Sequence, residues 1–153
     1  MALALLIRAP LRPVPRMHGP RLVRIPSARV DAMTVALDER RIALVRHDGG
    51  WDVDGAPATP AVADAARDLL DALATLRALD AFRAGDAARF GLAPPRGSVL
   101  VRAGAREDRL VIGGLTAGGD GVYARRGDER RVLRVGTGLL SAIERFFYAA
   151  RPR

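Results

Sequence analysis

The stretch Phe90-Gly91-Leu92-Ala93-Pro94-Pro95 separates two parts of the chain that have different sequence patterns. Gly91 allows a positive φ, and the two prolines hold φ near about −65° and disfavour a helix immediately before them. Phe90 and Leu92 supply apolar side chains that would anchor a turn. The stretch therefore predicts a packed turn between a helical part that precedes it and strands that follow it.

The part before this turn contains one amphipathic helix, predicted over residues 60–79. Thr59-Pro60 has the pattern of an N-cap followed by a first-turn proline. Apolar residues then recur at helical spacing: Val62, Ala66, Leu69, Leu73 and Leu76. Such a stripe indicates a helix that lies with one side on a sheet.

Seven short segments have the composition of β-strands. The three before the helix and the four after the turn are 32–37, 41–46, 51–53, 98–102, 108–112, 122–125 and 131–135. A closing helix begins near Thr137. The order βββα then ββββα predicts an α+β fold, with antiparallel strands and two helices packed on one face, and a diverged duplication would give the same order.

Composition limits the chemistry that the chain can perform. It has no cysteine, which excludes disulfides, thiolate metal sites and cysteine nucleophiles. The net charge of +8 belongs to the two ends, because residues 1–30 carry six arginines and no acid, and Arg151 and Arg153 close the chain. The body between them is formally neutral, which argues against a basic groove for nucleic acid.

The N-terminal part differs from the rest. Residues 1–28 are expected to be a basic linker rich in proline and arginine, and residues 29–150 a single α+β domain. Five prolines within residues 8–26 predict an extended, largely unstructured segment. Residues 1–7, MALALLI, are shorter than the about 20 residues of a spanning helix. They are either the end of a truncated membrane anchor or a mildly apolar terminus.

Candidate catalytic residues are few. His47 and Asp48 are adjacent, and a histidine–carboxylate pair can act as a general base. However, none of Ser27, Ser98 and Ser141 lies in a Gly-x-Ser-x-Gly elbow. We therefore expect His47 to be a solvated turn residue and the chain to have no catalytic role.

Two further motifs are interpreted as turns. Residues 113–121, GGLTAGGDG, are glycine-rich, but a predicted strand follows them instead of the helix that a phosphate-binding loop requires, so we expect a mobile hairpin loop. Arg126-Gly127-Asp128 spells the tripeptide of integrin ligands and falls at a predicted hairpin tip. With two distant histidines and scattered acids, neither a metal nor another cofactor is predicted.

The closing helix carries the candidate partner surface. Phe146, Phe147 and Tyr148 are consecutive, and three consecutive aromatic side chains cannot all face inward on one helix. At least one is expected to be exposed, and the three together are the predicted surface for a protein partner. Trp51 is instead expected on the inner face of the sheet.

Several separated pieces together resemble a bacterial and archaeal family, the domain of unknown function numbered 4340. These pieces are the hairpin end at 50–53, the helix after Thr59-Pro60, the turn at 90–95, the strand end at 110–113, and the strands at 122–125 and 131–135. The residues that carry the resemblance are Trp51, Phe90, Gly91, Leu92, Pro94, Pro95, Gly113 and Tyr123. Ala93 departs from the family pattern, which usually has an acid there.

The resemblance implies no established activity, and hence no catalytic residues or cofactor. Members often resemble extracytoplasmic domains held by one membrane helix, and some are encoded beside ABC-type transporters of the gliding-motility kind. We therefore expect a non-enzymatic interaction or structural domain at the cell envelope, anchored or peripheral, as an accessory of a transport system with an unidentified protein partner. The alternatives are a cytoplasmic location, an adaptor that binds anionic lipid or nucleic acid through residues 1–28, and an enzyme that uses His47 and Asp48.

Overall fold

The structure is a computed structural model that describes residues 19–152. It contains one nine-stranded antiparallel sheet and two α-helices, which confirms the α+β class. The elements are β1 (Ala32–Leu37), β2 (Arg40–His47), β3 (Gly50–Val53), β4 (Ala56–Pro57), α1 (Pro60–Thr75), β5 (Asp80–Arg83), β6 (Gly97–Ala103), β7 (Arg106–Leu115), β8 (Gly121–Arg126), β9 (Arg131–Gly136) and α2 (Gly138–Ala149). Short 3-10 helices cover Ser27–Arg29 and Ala87–Phe90.

The sheet is built outward from one central pair of strands. β1 pairs with β6, with Val35 opposite Val99, and the full order is β4-β3-β2-β1-β6-β7-β8-β9-β5. Each half of the chain adds three strands in sequence away from this pair, and β5 completes the far edge. Without β5, the strand order is symmetric about the β1–β6 pair, which is the arrangement that a diverged duplication would give.

Two of the nine strands are missing from the sequence prediction. β4 has only two residues, which is too few to show an alternating pattern, and the four residues of β5, Asp-Ala-Phe-Arg, do not alternate between apolar and polar. β5 is held by long-range partners, since it pairs along β9 and Asp80 contacts the Arg134 guanidinium at 2.9 Å. The predicted order of three and four strands is corrected to four before α1 and five after it.

The main core lies between the helix layer and one face of the sheet. Thr59 caps α1 as predicted, because its hydroxyl accepts a hydrogen bond from the Val62 amide at 3.4 Å. Trp51 is 9% exposed on this inner face, as expected. Buried side chains from both helices and from the central strands make up this core: Val62, Leu69, Leu73, Leu139, Ile143, Phe146, Met33, Val35, Val99, Val101, Leu110, Ile112 and Leu133.

Helix α1 ends at Thr75, four residues before its predicted end. Leu76 has extended backbone angles, and the Ala78 amide donates to the carbonyl of Pro20 at 3.1 Å. The backbones of Arg77 and Arg21 form an isolated antiparallel β-bridge. The helical pattern stops here because these residues pair with the N-terminal segment instead of continuing the helix.

That N-terminal segment corrects a second expectation. Leu22, Val23 and Ile25 are buried in the main core, so residues 19–26 are an ordered part of the domain and the core begins before residue 29. The Arg126 guanidinium donates to the Arg21 carbonyl at 3.1 Å, and the Arg24 amide donates to Asp108 at 2.6 Å. The predictions for residues 1–18, including MALALLI, lie outside the described residues.

The turn at residues 90–95 covers part of the opposite face of the sheet. Gly91 has φ +67°, and its amide caps the 3-10 helix by donating to Ala88 at 3.0 Å. Leu92 is fully buried in a second, smaller core with Val111 and Val132. The rings of Phe82, Phe90 and Tyr123 pack edge to face beside it, with centroids 4.9 to 6.3 Å apart. Pro94 and Pro95 are exposed, and the Ala93–Pro94 peptide bond is cis.

The glycine-rich loop is shorter than predicted. Gly113 and Gly114 belong to β7, at a register shift where the turn at 90–95 packs on the strand. The loop proper covers residues 116–120 and is closed by the hydroxyl of Thr116, which donates to Asp120 at 2.7 Å and accepts from the Gly121 amide at 3.1 Å. This hydrogen bond lowers the pKa of the Asp120 carboxyl.

Candidate functional site

The predicted aromatic surface on α2 is reduced to one residue. Phe146 and Phe147 are buried in the main core, whereas Tyr148 is 72% exposed. The prediction that at least one of the three faces outward is confirmed, but a surface formed by all three is wrong. The reason is that α2 turns two of its aromatic positions toward the sheet and α1, which leaves only Tyr148 on the outer side.

Tyr148 borders a groove between α1 and α2, which is named here the interhelical groove. Its volume is about 560 Å³. Its lining residues are Ala61, Asp64, Ala65, Asp68, Ala142, Glu144, Arg145, Tyr148 and Arg151. Three of them are alanines from the two helices, so the groove has an apolar floor that another backbone or helix can approach closely.

The two walls of the interhelical groove carry opposite charge. α1 supplies Asp64 and Asp68, whereas Arg145 on α2 and Arg151 just beyond it face them across the groove. Asp64 pairs with Arg67 at 2.8 Å, on an exposed part of α1. Asp68 and Arg145 form no ion pair with another described residue, so their charges are available to a partner. The Arg151 guanidinium lies over the Tyr148 ring, 5.2 Å from its centre.

Two contacts hold the α2 wall in place. Arg40 donates two hydrogen bonds to the Glu144 carboxylate, at 2.7 and 2.9 Å, and its guanidinium lies 4.6 Å from the centre of the Phe147 ring. The Arg40 hydrogen bonds hold the pKa of Glu144 below its usual value. The charge of Glu144 is thus compensated from within the chain, and the net charge of this wall comes from its arginines.

A second recess adjoins the groove at Ala61 and Arg151. It has a volume of about 530 Å³ and is lined mainly by apolar residues from the β3–β4 edge and the ends of both helices: Val53, Ala56, Pro57, Ala58, Val62, Ala149, Ala150 and Pro152. The apolar surface beside Tyr148 therefore continues as far as the edge of the sheet. The sequence does not mark this region, because five of the eleven lining residues are alanines, which carry no chemical signature.

The other sequence candidates lie apart from this groove. His47 and Asp48 are in the β2–β3 turn, 3.4 Å apart between Nδ1 and Oδ2, with both side chains largely exposed. None of the three serines is hydrogen-bonded to them in the described part of the chain. Residues 19–152 also contain no cluster of three or more histidine, aspartate or glutamate side chains positioned to hold a metal.

The Arg-Gly-Asp tripeptide forms a turn, as interpreted from the sequence. Gly127 has φ +49° between β8 and β9. The Arg126 side chain is only 11% exposed and contacts Glu129 at 3.1 Å. Arg126 therefore serves to join the N-terminal segment to this hairpin rather than to display a charge.

The fold and the groove define a single-sheet α+β domain with a candidate interaction surface on its helix layer. Residues 51–147 match the family model described as Domain of unknown function (DUF4340). The chain belongs to this family. The match runs from Trp51 to Phe147 and so begins at β3, although β1 and β2 form part of the same sheet.

Comparison with curated proteins and with solved structures found no match. Within residues 19–152, neither helix is both long enough and apolar enough to cross a membrane.

Proposed function

We propose that this domain is a non-enzymatic interaction module that binds a protein partner through the interhelical groove. The observation that carries the proposal is the exposed Tyr148 beside a groove that has an alanine floor and charged walls. An exposed tyrosine is a frequent anchor in protein interfaces because its ring buries a large area while its hydroxyl keeps a polar contact. The family resemblance supports a place at the cell envelope, as an accessory of a transport system.

The geometry around the groove favours protein binding over small-molecule chemistry. The groove is an open surface, and its ionisable groups lie on opposite walls instead of converging on one point. His47 and Asp48, the pair that an enzyme would use, lie in a different, solvated turn. An interaction role therefore needs only the surface groups that already line the groove, whereas a catalytic role would need further groups beside them.

Site-specific photo-cross-linking in the native host tests this proposal. A photoreactive phenylalanine analogue at position 148 is expected to give a discrete adduct, identified by mass spectrometry, whether with another protein or with a second copy of the chain. The same analogue at position 106, which is exposed at the start of β7, is the matched control. Identical patterns at both positions, or no adduct at 148, would contradict the proposal.

A second candidate function is favoured by the charge of the N-terminal part, where residues 1–30 have six arginines and no acid. Here the chain would bind an anionic surface, and the binding would weaken as salt rises. Because Leu22 is a core residue, a clean test removes residues 2–18 and leaves 19–28 in place. Vesicles that contain phosphatidylglycerol, and separately a DNA duplex, are the two probes, and equal binding by the shortened and full chains would reject this function.

A further inference from the structure

We propose that the partner of the interhelical groove is a second copy of this chain, bound as a twofold-symmetric dimer. This inference rests on the proposed function, because it names the occupant of the same groove. The proposal rests on the arrangement of charge across the groove: acids on the α1 wall, and arginines on the α2 wall, where Glu144 is compensated by Arg40. A surface that carries both members of a charge pair on opposite sides is complementary to itself under a twofold rotation.

The charges select one orientation of the twofold axis. With the axis parallel to the groove, each copy places its α1 wall over the α2 wall of the other, so that Asp68 meets Arg145 of the second copy. With the axis perpendicular to the groove, α1 would face α1 and Asp68 would approach another Asp68. The first orientation pairs opposite charges twice, and the second brings like charges together.

The floor and rim of the groove suit such a contact. Ala61, Ala65 and Ala142 leave room for the two helix layers to approach closely, and each Tyr148 can enter the groove of the other copy. Asp68 and Arg145 have no ion-pair partner within residues 19–152, so dimerisation would not have to break existing ion pairs. Asp64 and Glu144 keep their contacts to Arg67 and Arg40, outside the new charge pairs.

Charge reversal provides the test, measured by analytical ultracentrifugation of the full chain at low salt. Asp68→Arg and Arg145→Asp, each alone, place like charges in both contacts, and each is expected to raise the dimer dissociation constant by about tenfold or more. An equal mixture of the two variants is expected to form a heterodimer near wild-type affinity. In that heterodimer one contact pairs the two altered residues and the other pairs the two unaltered ones.

Glu39→Arg and Arg106→Asp are the matched controls, since both residues are exposed and neither lines the groove. They are expected to dimerise like the wild type, and circular dichroism checks that all variants are folded. A wild-type chain that stays monomeric, single reversals that dimerise normally, or a mixture that does not recover would each overturn the dimer. A monomer that still cross-links to a different protein at position 148 would overturn only the dimer and leave the interaction function standing.

Discussion

Gly91 and Gly114 bring two backbones into direct contact, because a Cβ atom built on Gly91 would lie 2.6 Å from the amide nitrogen of Gly114. Gly91 also has φ +67°, so an L side chain there meets both backbone strain and a steric clash. The contact attaches the turn at 90–95 to the register shift in β7. It explains why glycine is needed at position 91, whereas a Cβ atom built on Gly114 would make only an ordinary contact, 3.6 Å from the Phe90 carbonyl oxygen. At Gly91 the backbone strain and the steric clash are two separate costs that can be measured.

Gly91→Ala is expected to lower the free energy of unfolding by clearly more than Gly49→Ala. Gly49 has φ +81° but no atom within 4 Å of its built Cβ, so its substitution costs only the left-handed strain, about 1 to 2 kcal/mol. The clash at Gly91 is expected to add at least about 1 kcal/mol more. Urea denaturation of the two variants measures the difference, and equal losses would show that the turn can move away from β7.

Leu22→Ala is expected to destabilise the domain by about 2 to 5 kcal/mol, because the side chain is fully buried and its removal leaves a cavity. Val45→Ala is the control, since Val45 is 55% exposed and its truncation should change stability by about 0.5 kcal/mol or less. Chemical denaturation compares the two. A small loss for Leu22→Ala would mean that the N-terminal segment does not contribute to the core in solution.

Phe146→Ala and Tyr148→Ala are expected to separate packing from surface function. Phe146 is fully buried, so its truncation should cost about 3 to 5 kcal/mol, whereas Tyr148→Ala should change stability by about 0.5 kcal/mol or less. Thermal and urea unfolding measure both. If Tyr148→Ala proved as costly as Phe146→Ala, the tyrosine would be a core residue and not a candidate anchor.

Glu144→Gln is expected to lower stability at neutral pH but not in acid. The folded-state pKa of Glu144 is lowered by Arg40, so the carboxylate contributes stability above its usual pKa of about 4.3, and this contribution is lost as pH falls through the lower, folded-state value. Because the pair is half exposed, the loss at pH 7 should be about 0.5 to 1 kcal/mol.

Denaturation of wild type and Glu144→Gln across this pH range checks the prediction, since the two stabilities should converge toward the acid end. Glu107→Gln is the control, because Glu107 has one looser contact, 3.7 Å from Arg102, and is expected to lose less. A gap between wild type and Glu144→Gln that persists unchanged in acid would contradict an electrostatic origin.

Patterns within one element predicted most of the fold, whereas contacts between distant residues decided the rest. The stripe from Val62 to Leu73 and the N-cap at Thr59 identified α1 because both signals are local. β5 was missed because its pairing depends on β9, about 50 residues away. Likewise, the prolines around Leu22 and Ile25 indicated an unstructured segment, although burial of these side chains depends on surfaces supplied later in the chain.

The candidate site was predicted only in part, for a similar reason. Three adjacent aromatic residues indicated that one would face outward, and Tyr148 does. The groove beside it depends on the distance between α1 and α2 and on alanines that carry no chemical signature in a sequence. The opposed walls, Asp68 on one helix and Arg145 on the other, become visible only when the two helices lie side by side.

Because β1 pairs with β6 at the centre of the sheet, neither half of the chain contains the whole sheet. A polypeptide cut within residues 84–89 would yield two fragments. Each fragment would expose the unpaired backbone hydrogen-bonding groups of β1 or β6 at a sheet edge, and each would keep one helix on the face of its sheet. Such fragments should aggregate when alone and should reassemble when mixed. The domain could therefore be divided into two complementing fragments for a split-protein reporter.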